Sequence, residues 1–69
     1  MNSLSEIARQ NIRKARQQRG YSTNDLAEIT GISQSAISKI ENGKRKIDLC
    51  TLETICNALH VKIQNIICE

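Results

Sequence analysis

Five polar side chains lie at helical spacing in the middle of the chain. On a helix, with about 100° between successive residues, they fall within one arc of about 140°: Gln34, Ser35, Ser38, Lys39 and Asn42. In the major groove of DNA, Gln can form two hydrogen bonds with adenine, and Lys can donate to guanine. The residue types and their spacing therefore suit the reading of base edges by a short helix.

The opposite side of the same segment is apolar and holds Ala36, Ile37 and Ile40. Such a stripe anchors a helix on a protein core and leaves its polar side outside. An ordinary solvated helix has the same pattern, so the neighbouring elements must decide between the two interpretations.

Apolar residues recur at spacings of three and four, and no stretch alternates with period two, so the sequence predicts an all-α fold. The helices are predicted at about 4–19, 23–30, 34–42, 49–59 and 63–67. Apolar residues five positions apart flank four possible N-caps: Ser22, Ser33, Asp48 and Lys62. Capping boxes are predicted for Ser22 with Asp25 and for Ser3 with Glu6.

Gly31 separates the second and third predicted helices, at a position where a left-handed residue is expected. Ala27 is small where these two helices approach each other. A helix, a short turn with glycine and a half-polar helix form the helix-turn-helix arrangement. This neighbourhood favours the base-reading interpretation.

The chain of 69 residues is too short for two cores, so residues 1–69 are predicted to form one compact domain. The predicted core is mostly aliphatic: Leu4, Ile7, Ala8, Ile12, Ala15, Tyr21, Leu26, Ala27, Ile32, Ile37, Ile40, Ile47, Leu52, Ile55, Cys56, Leu59, Val61, Ile66 and Ile67.

Positive charge is concentrated in residues 1–46, which hold nine Lys or Arg against four Asp or Glu. Residues 47–69 hold one against three. This imbalance is typical of a surface that binds a polyanion, although many solvated helices are also basic. The cations of the first helix other than Arg16 are expected to face solvent for the most part: Arg9, Arg13, Lys14 and Arg19.

No enzymatic activity, cofactor or small-molecule ligand is predicted, because the chain has one histidine, no glycine-rich phosphate loop and no carboxylate pair near that histidine. Cys56 and His60 lie one turn apart, but no Cys-x-x-Cys pair completes a metal site, so no metal is predicted. The odd set of Cys50, Cys56 and Cys68 suits a reducing compartment. No apolar run approaches the roughly 20 residues of a membrane span, and a secretory pattern is absent, so a cytoplasmic location is predicted.

Nearly the whole chain, residues 7–67, resembles the phage-repressor helix-turn-helix family of lambda-repressor-like, Cro and XRE-type proteins. The resemblance rests on the stretch LAEITGISQSAISKIENGKRK, on IRKARQQRGYS before it and on TLETICNALHV after it. It implies a five-helix, lambda-repressor-like DNA-binding domain that usually works as a dimer on a palindromic operator.

The resemblance also implies roles for individual residues. The base-reading positions are Gln34, Ser35 and Lys39, with Ser38 beside them. The positions that commonly contact the DNA backbone are Thr23, Ser33, Asn42, Lys44, Arg45 and Lys46. The family pairs an arginine late in the first helix with a glutamate that ends the third, which here are Arg16 and Glu41.

The chain departs from the family pattern at four positions outside the proposed reading surface. Ile47 stands in place of a frequent proline, Asp48 in place of a serine cap, and Ala15 in place of a leucine. His60 occupies a position where glycine often ends the fourth helix. These differences concern loop geometry and stability.

The sequence therefore predicts a sequence-specific, double-stranded DNA-binding transcriptional regulator that acts as a homodimer on a palindromic operator. Apolar residues near its C-terminal end exceed what one small core needs, so part of this set is predicted to form the two-fold contact: Val61, Ile63, Ile66 and Ile67. The alternative, an antitoxin or other protein-interaction module that uses the helix-turn-helix for autoregulation, stays open.

Overall fold

The computed structural model describes residues 4–67, with side chains from residue 6 onward, and this part of the chain folds into helices without a strand. In chain order the helices are α1 (Leu4–Gln18), α2 (Thr23–Thr30), α3 (Gln34–Glu41), α4 (Leu49–Leu59) and α5 (Ile63–Ile67). The predicted all-α class and five-helix order are confirmed, and α1 and α3 each end one residue earlier than predicted. The predicted Ser3–Glu6 capping box, the side chain of Leu4 and Cys68 lie outside the described residues.

The N-caps predicted for α2 and α3 are confirmed. The Ser22 hydroxyl accepts from the Asp25 N–H at 3.0 Å, while the Asp25 carboxylate accepts from the Ser22 N–H at 2.9 Å. Ser33 accepts from the Ala36 N–H at 3.1 Å. Each bond satisfies a backbone donor that the first turn of a helix would otherwise leave unpaired.

Asp48 caps α4 as predicted, and its carboxylate accepts from the Thr51 N–H at 2.7 Å. The hydrogen bonds from Thr51 lower the pKa of Asp48 below its ordinary value. The side chain is therefore an ionised acceptor at neutral pH and replaces the serine of the family pattern without loss of the cap.

The core is aliphatic and extends through all five helices. Its fully buried large side chains all belong to the predicted set: Ile12, Leu26, Ile37, Ile40, Ile55 and Leu59. Other predicted members are half-buried at its edge: Ile7, Tyr21, Ala27, Ile32, Ile47, Leu52, Val61 and Ile67. Ala36 is buried too, although the predicted set omitted it, because it lies on the apolar side of α3.

The helices are arranged so that α1 packs on both α3 and α5, while α2 packs on α3 and α4. This arrangement fixes α3 against two neighbours and leaves one of its sides open. Within residues 4–67, no helix combines the length and the apolar character needed to cross a bilayer.

The C-terminal end of α4 is a Schellman motif that contains a residue other than glycine. The His60 N–H donates to the Asn57 carbonyl at 3.2 Å, and the Val61 N–H donates to the Cys56 carbonyl at 3.0 Å. His60 has a φ of 57°, and the other left-handed residues of the described chain are glycines: Gly20, Gly31 and Gly43. A side chain in this conformation costs about 1–2 kcal/mol, so the end of α4 is strained.

Replacing His60 by glycine is expected to raise the free energy of unfolding by about 1 kcal/mol, because glycine adopts positive φ without steric cost. In a domain of this size the melting temperature should rise by roughly 4–8 °C. His60→Ala is the matched control, since it removes the imidazole but keeps the Cβ. Equal melting temperatures of the two variants, measured by circular dichroism, would contradict the strain argument.

Candidate nucleic-acid interface

The turn between α2 and α3 is built around Gly31, which has a φ of +76°. Its N–H donates to the Ala27 carbonyl at 2.9 Å, and the next N–H, of Ile32, donates to the Thr30 hydroxyl at 3.1 Å. A Cβ at position 31 would meet no atom within 4 Å. The glycine is therefore required by the left-handed backbone rather than by lack of space.

The two sides of α3 differ in exposure as the spacing predicts. Ala36, Ile37 and Ile40 are buried on the core side. Ser38 is half-buried, and the other four polar side chains are exposed: Gln34, Ser35, Lys39 and Asn42. The proposed reading surface, defined as Gln34, Ser35, Ser38 and Lys39, therefore lies on the open side of the helix. The reading of bases by these residues stays a prediction.

Gln34 is held by a contact from α2. Its Nε2 donates to the Thr23 hydroxyl at 3.1 Å, between residues that begin the two helices. One amide hydrogen is used in this way, which leaves the Oε1 acceptor and the second hydrogen for the two-bond pattern that adenine presents. Thr23, predicted as a backbone contact, thus also orients the first residue of the reading surface.

The remaining predicted backbone contacts lie at the two ends of α3. Ser33 precedes the helix as its N-cap, and exposed residues follow it: Asn42, Lys44, Arg45 and Lys46. Lys44, Arg45 and Lys46 line a depression of about 440 Å³ together with Arg9 and Gly43. The structure therefore brings a cation of α1 beside the basic loop.

Gly43 allows this approach. It has a φ of +74°, and its N–H donates to the Ile40 carbonyl at 3.2 Å in the turn that ends α3. A Cβ at this position would lie 3.1 Å from Nε of Arg9. Both the backbone conformation and the neighbouring guanidinium therefore favour glycine here.

Glu41, the last residue of α3, binds Arg16 of α1 through both carboxylate oxygens. Arg16 donates from Nε to Oε2 at 2.7 Å and from Nη2 to Oε1 at 2.9 Å, while its Nη1 donates to the Tyr21 carbonyl at 2.8 Å. Glu41 is 3% exposed, and the hydrogen bond to it raises the pKa of Arg16. The ion pair implied by the family resemblance is present, and it joins α1 to the end of α3.

Two further arginines of α1 converge on the same residue. Arg13 donates from Nε to Oε1 of Glu41 at 3.4 Å and from Nη2 to its backbone carbonyl at 3.4 Å. Arg9 donates to that carbonyl from Nη1, also at 3.4 Å. Arg9, Arg13 and Arg16 are four and three residues apart and so form one stripe of α1.

The convergence has an electrostatic cause. The C-terminal end of a helix carries partial negative charge, so a carboxylate in its last turn is unfavourable unless cations lie nearby. This part of the site was not predicted from the sequence. Of the four cations expected to face solvent for the most part, Lys14 and Arg19 are exposed, but Arg9 and Arg13 are half-buried. The sequence did hold a signal for this arrangement, because the helical spacing of Arg9 and Arg13 from Arg16 puts all three on one side of α1.

The residues predicted to form a two-fold contact also differ in exposure. Ile66 is 2% exposed and lies in the core of its own chain, so its assignment to a contact between protomers needs correction. Val61, Ile63 and Ile67 are half-buried, and their role stays a prediction. Large apolar side chains that are more open, which sequence analysis did not single out, are Leu49 at 63% and Ile29 at 51%.

Cys56 and His60 lie in different environments. Cys56 is buried in the core, and burial raises the pKa of its thiol, which keeps it protonated. His60 is exposed at the left-handed end of α4. Cys56 is therefore a core residue, and His60 is the residue that ends α4.

The fold and the open side of α3 define a five-helix domain of the helix-turn-helix class. The chain belongs to the helix-turn-helix family HTH_3, whose model matches residues 12–66.

Two relatives align with this chain over more than nine tenths of its length. The HTH-type transcriptional regulator SutR of Escherichia coli (strain K12) is 33% identical over 67 residues, which are 97% of this chain and 38% of that protein. Control protein C.SmaI of Serratia marcescens is 30% identical over 64 residues, 93% of this chain and 76% of that protein. This chain thus corresponds to less than half of SutR but to most of C.SmaI.

A solved structure shares the fold. It is the crystal structure of the restriction-modification controller protein C.Esp1396I, a tetramer in complex with its natural 35 base-pair operator. The TM-score is 0.83 at 27% identity, over 96% of this chain and 97% of that one.

Glu41→Ala is expected to lower the free energy of unfolding by roughly 3–5 kcal/mol, because it leaves the largely buried Arg16 guanidinium without its carboxylate. Lys39→Ala, an exposed change on the same helix, should change it by no more than about 0.5 kcal/mol. Urea denaturation of both variants measures the difference. Equal midpoints would show that the ion pair does not hold α3.

Proposed function

We propose that this chain is a sequence-specific, double-stranded DNA-binding transcriptional regulator that acts by binding rather than by catalysis. The observation that carries the proposal is the two-sided exposure of α3. Its apolar side is buried on α1 and α2, its end is fixed by Glu41, and its polar side faces outward. A helix held in this way can enter the major groove without rearrangement of the domain.

Base reading is assigned to the exposed side of α3. Gln34, oriented by Thr23, suits adenine, and the Lys39 ammonium suits the acceptors of guanine. Ser35 and Ser38 are short enough to let the helix backbone approach the bases. Their hydroxyls can each make a single hydrogen bond to a base edge.

Binding to the phosphate backbone is assigned to residues around α3. The hydroxyls of Thr23 and Ser33 lie at the starts of α2 and α3, and the basic loop at 44–46 follows α3. Contacts of this kind fix the register of a protein on the duplex but carry no sequence information. They also make affinity depend strongly on salt.

The proposal includes a homodimer on a palindromic operator, with half-sites about 34 Å apart. Its support is the set of half-buried apolar residues at and before α5: Val61, Ile63 and Ile67. The C.Esp1396I structure, a tetramer on its operator, supports assembly on DNA as a property of a relative with the same fold. A cytoplasmic location is part of the proposal, since the described cysteines, Cys50 and Cys56, are free thiols.

Gln34→Ala is expected to relax base preference at one or two operator positions, at a cost of about 1–3 kcal/mol there. Selection from random duplex DNA, followed by affinity measurement on single-base variants, reports the change. Gln10→Ala, the same substitution at an exposed position of α1, is the control. An unchanged preference in the Gln34 variant would contradict the assignment of base reading.

Arg45→Ala should instead weaken binding to every sequence alike. If the side chain meets a phosphate, the slope of log affinity against log salt should fall by about one. Fluorescence anisotropy at several salt concentrations measures that slope. A change of base preference in this variant would contradict its assignment to the backbone.

Sedimentation velocity tests the homodimer. The sedimentation coefficient should rise with protein concentration into the micromolar range, and a palindromic operator should bind much more tightly than one half-site. The dimer proposal fails if the protein stays monomeric and binds single half-sites as tightly as full operators.

A further inference from the structure

Asn42, directly after α3, lies between a residue of α1 and a residue of the reading surface. Nη2 of Arg13 donates to its Oδ1 at 3.0 Å, and its Nδ2 donates to the Ser38 hydroxyl at 3.4 Å. The backbone N–H of Asn42 donates to the Ser38 carbonyl at 3.0 Å. The three side chains thus form a short relay from α1 to the exposed side of α3.

The chemistry of guanidinium decides which way the Asn42 amide points. A guanidinium has donors only, so the amide group that faces Arg13 must be the oxygen. The reversed amide would bring its NH₂ against the Arg13 N–H donors and lose the bond. The orientation of Asn42, with NH₂ towards Ser38, therefore follows from the position of Arg13.

This orientation leaves the Ser38 hydrogen free. A serine hydroxyl has one hydrogen and two lone pairs, and the Asn42 NH₂ occupies a lone pair. Helical hydroxyls often donate to the carbonyl four residues back, as Thr30 does to Leu26 at 2.7 Å and Thr54 does to Cys50 at 2.9 Å. Within residues 4–67, the Ser38 hydroxyl makes no such bond. Its hydrogen can turn outward to DNA.

We propose that Arg13 is a specificity-determining positioning residue: it fixes the Asn42 amide and so makes the Ser38 hydroxyl a donor toward the bases. The inference rests on the proposed DNA-binding function and deepens it. The partner groups in the major groove are acceptors, namely purine N7, guanine O6 and thymine O4. The amino groups of cytosine and adenine can bond only to the one lone pair that Asn42 leaves on the Ser38 oxygen, so acceptors are preferred at the base pair that Ser38 contacts.

Arg13 is itself held in place. Its Nε and Nη2 both reach Glu41, at 3.4 Å each, and Glu41 is buried against Arg16. The relay is therefore fixed to the ion pair between α1 and α3. The second amide hydrogen of Asn42 is left for a phosphate, so the relay is compatible with the backbone contact assigned to that residue.

The experiment compares base preference in wild type and in Arg13→Met, which keeps the bulk of the stem but has no donor for Asn42. Relative affinities for all four base pairs at each operator position, at one salt concentration, are the readout. At the operator base pair that Ser38 contacts, Arg13→Met should reduce the preference for acceptor groups about threefold to tenfold, as expected for the loss of one hydrogen bond. Arg13→Lys, which restores a donor, should retain it, and Ser38→Ala should abolish it.

Asn42→Asp tests the relay without changing any arginine. An aspartate accepts from the Ser38 hydroxyl and turns its hydrogen inward, so only lone pairs face the DNA. The preference at the Ser38 position should then shift from acceptors to the amino groups of cytosine or adenine. Circular dichroism confirms that each variant is folded, and the shift of preference is independent of any overall loss of affinity.

Two results would overturn the inference alone. Arg13→Met could weaken all sequences equally and reduce the salt slope by about one, which would make Arg13 a phosphate contact. Asn42→Asp could leave the preference at the Ser38 position unchanged. In both cases a Gln34→Ala variant with relaxed preference would show that base reading by α3 stands. A wild-type protein without any base preference would instead overturn the proposed function, and the inference with it.

Discussion

The buried carboxylate of Glu41 fixes the geometry of α3. A helix of eight residues is too short to be stable by itself, so its position depends on what it packs against. The apolar side of α3, with Ile37 and Ile40, anchors the helix in the core. The directional bonds from Arg16 to both oxygens of Glu41 add a second constraint on its position, because a displaced carboxylate would lose them.

The same interaction connects the parts of the interface. Arg13 reaches Glu41 and Asn42, Arg9 reaches the Glu41 carbonyl, and Thr23 holds Gln34 from the other end. Both ends of the polar side of α3 are therefore held from neighbouring helices. The proposed function assigns affinity for phosphate and selectivity for bases to different side chains on this one support.

Most of the fold could be predicted because its signals are local. The caps at Ser22, Ser33 and Asp48 bond to residues three positions further on, and Gly31 marks a turn within a few residues. Such patterns are visible in a short window of sequence. The sides of α3 were predictable for the same reason, since helical periodicity sorts apolar from polar residues without knowledge of the partner helix.

The features that the sequence did not predict are contacts between different helices. Arg13 and Asn42 are 29 positions apart in sequence, so their hydrogen bond exists only once α1 and α3 have packed. Ile66 shows a different limit. The sequence placed Ile66 both in the predicted core and in the predicted two-fold contact, and it offered no signal that decided between the two assignments. Burial of Ile66 is decided by α1, on which α5 packs.

The close approach at Gly43 links two positions that lie far apart in the chain. Because a methyl group there would press on the Arg9 guanidinium, an ancestor or descendant of this protein could change residue 43 more easily after residue 9 had become shorter. The order of two substitutions would then matter, even though neither residue belongs to the reading surface. Evolution of the basic loop is in this sense tied to the history of the first helix.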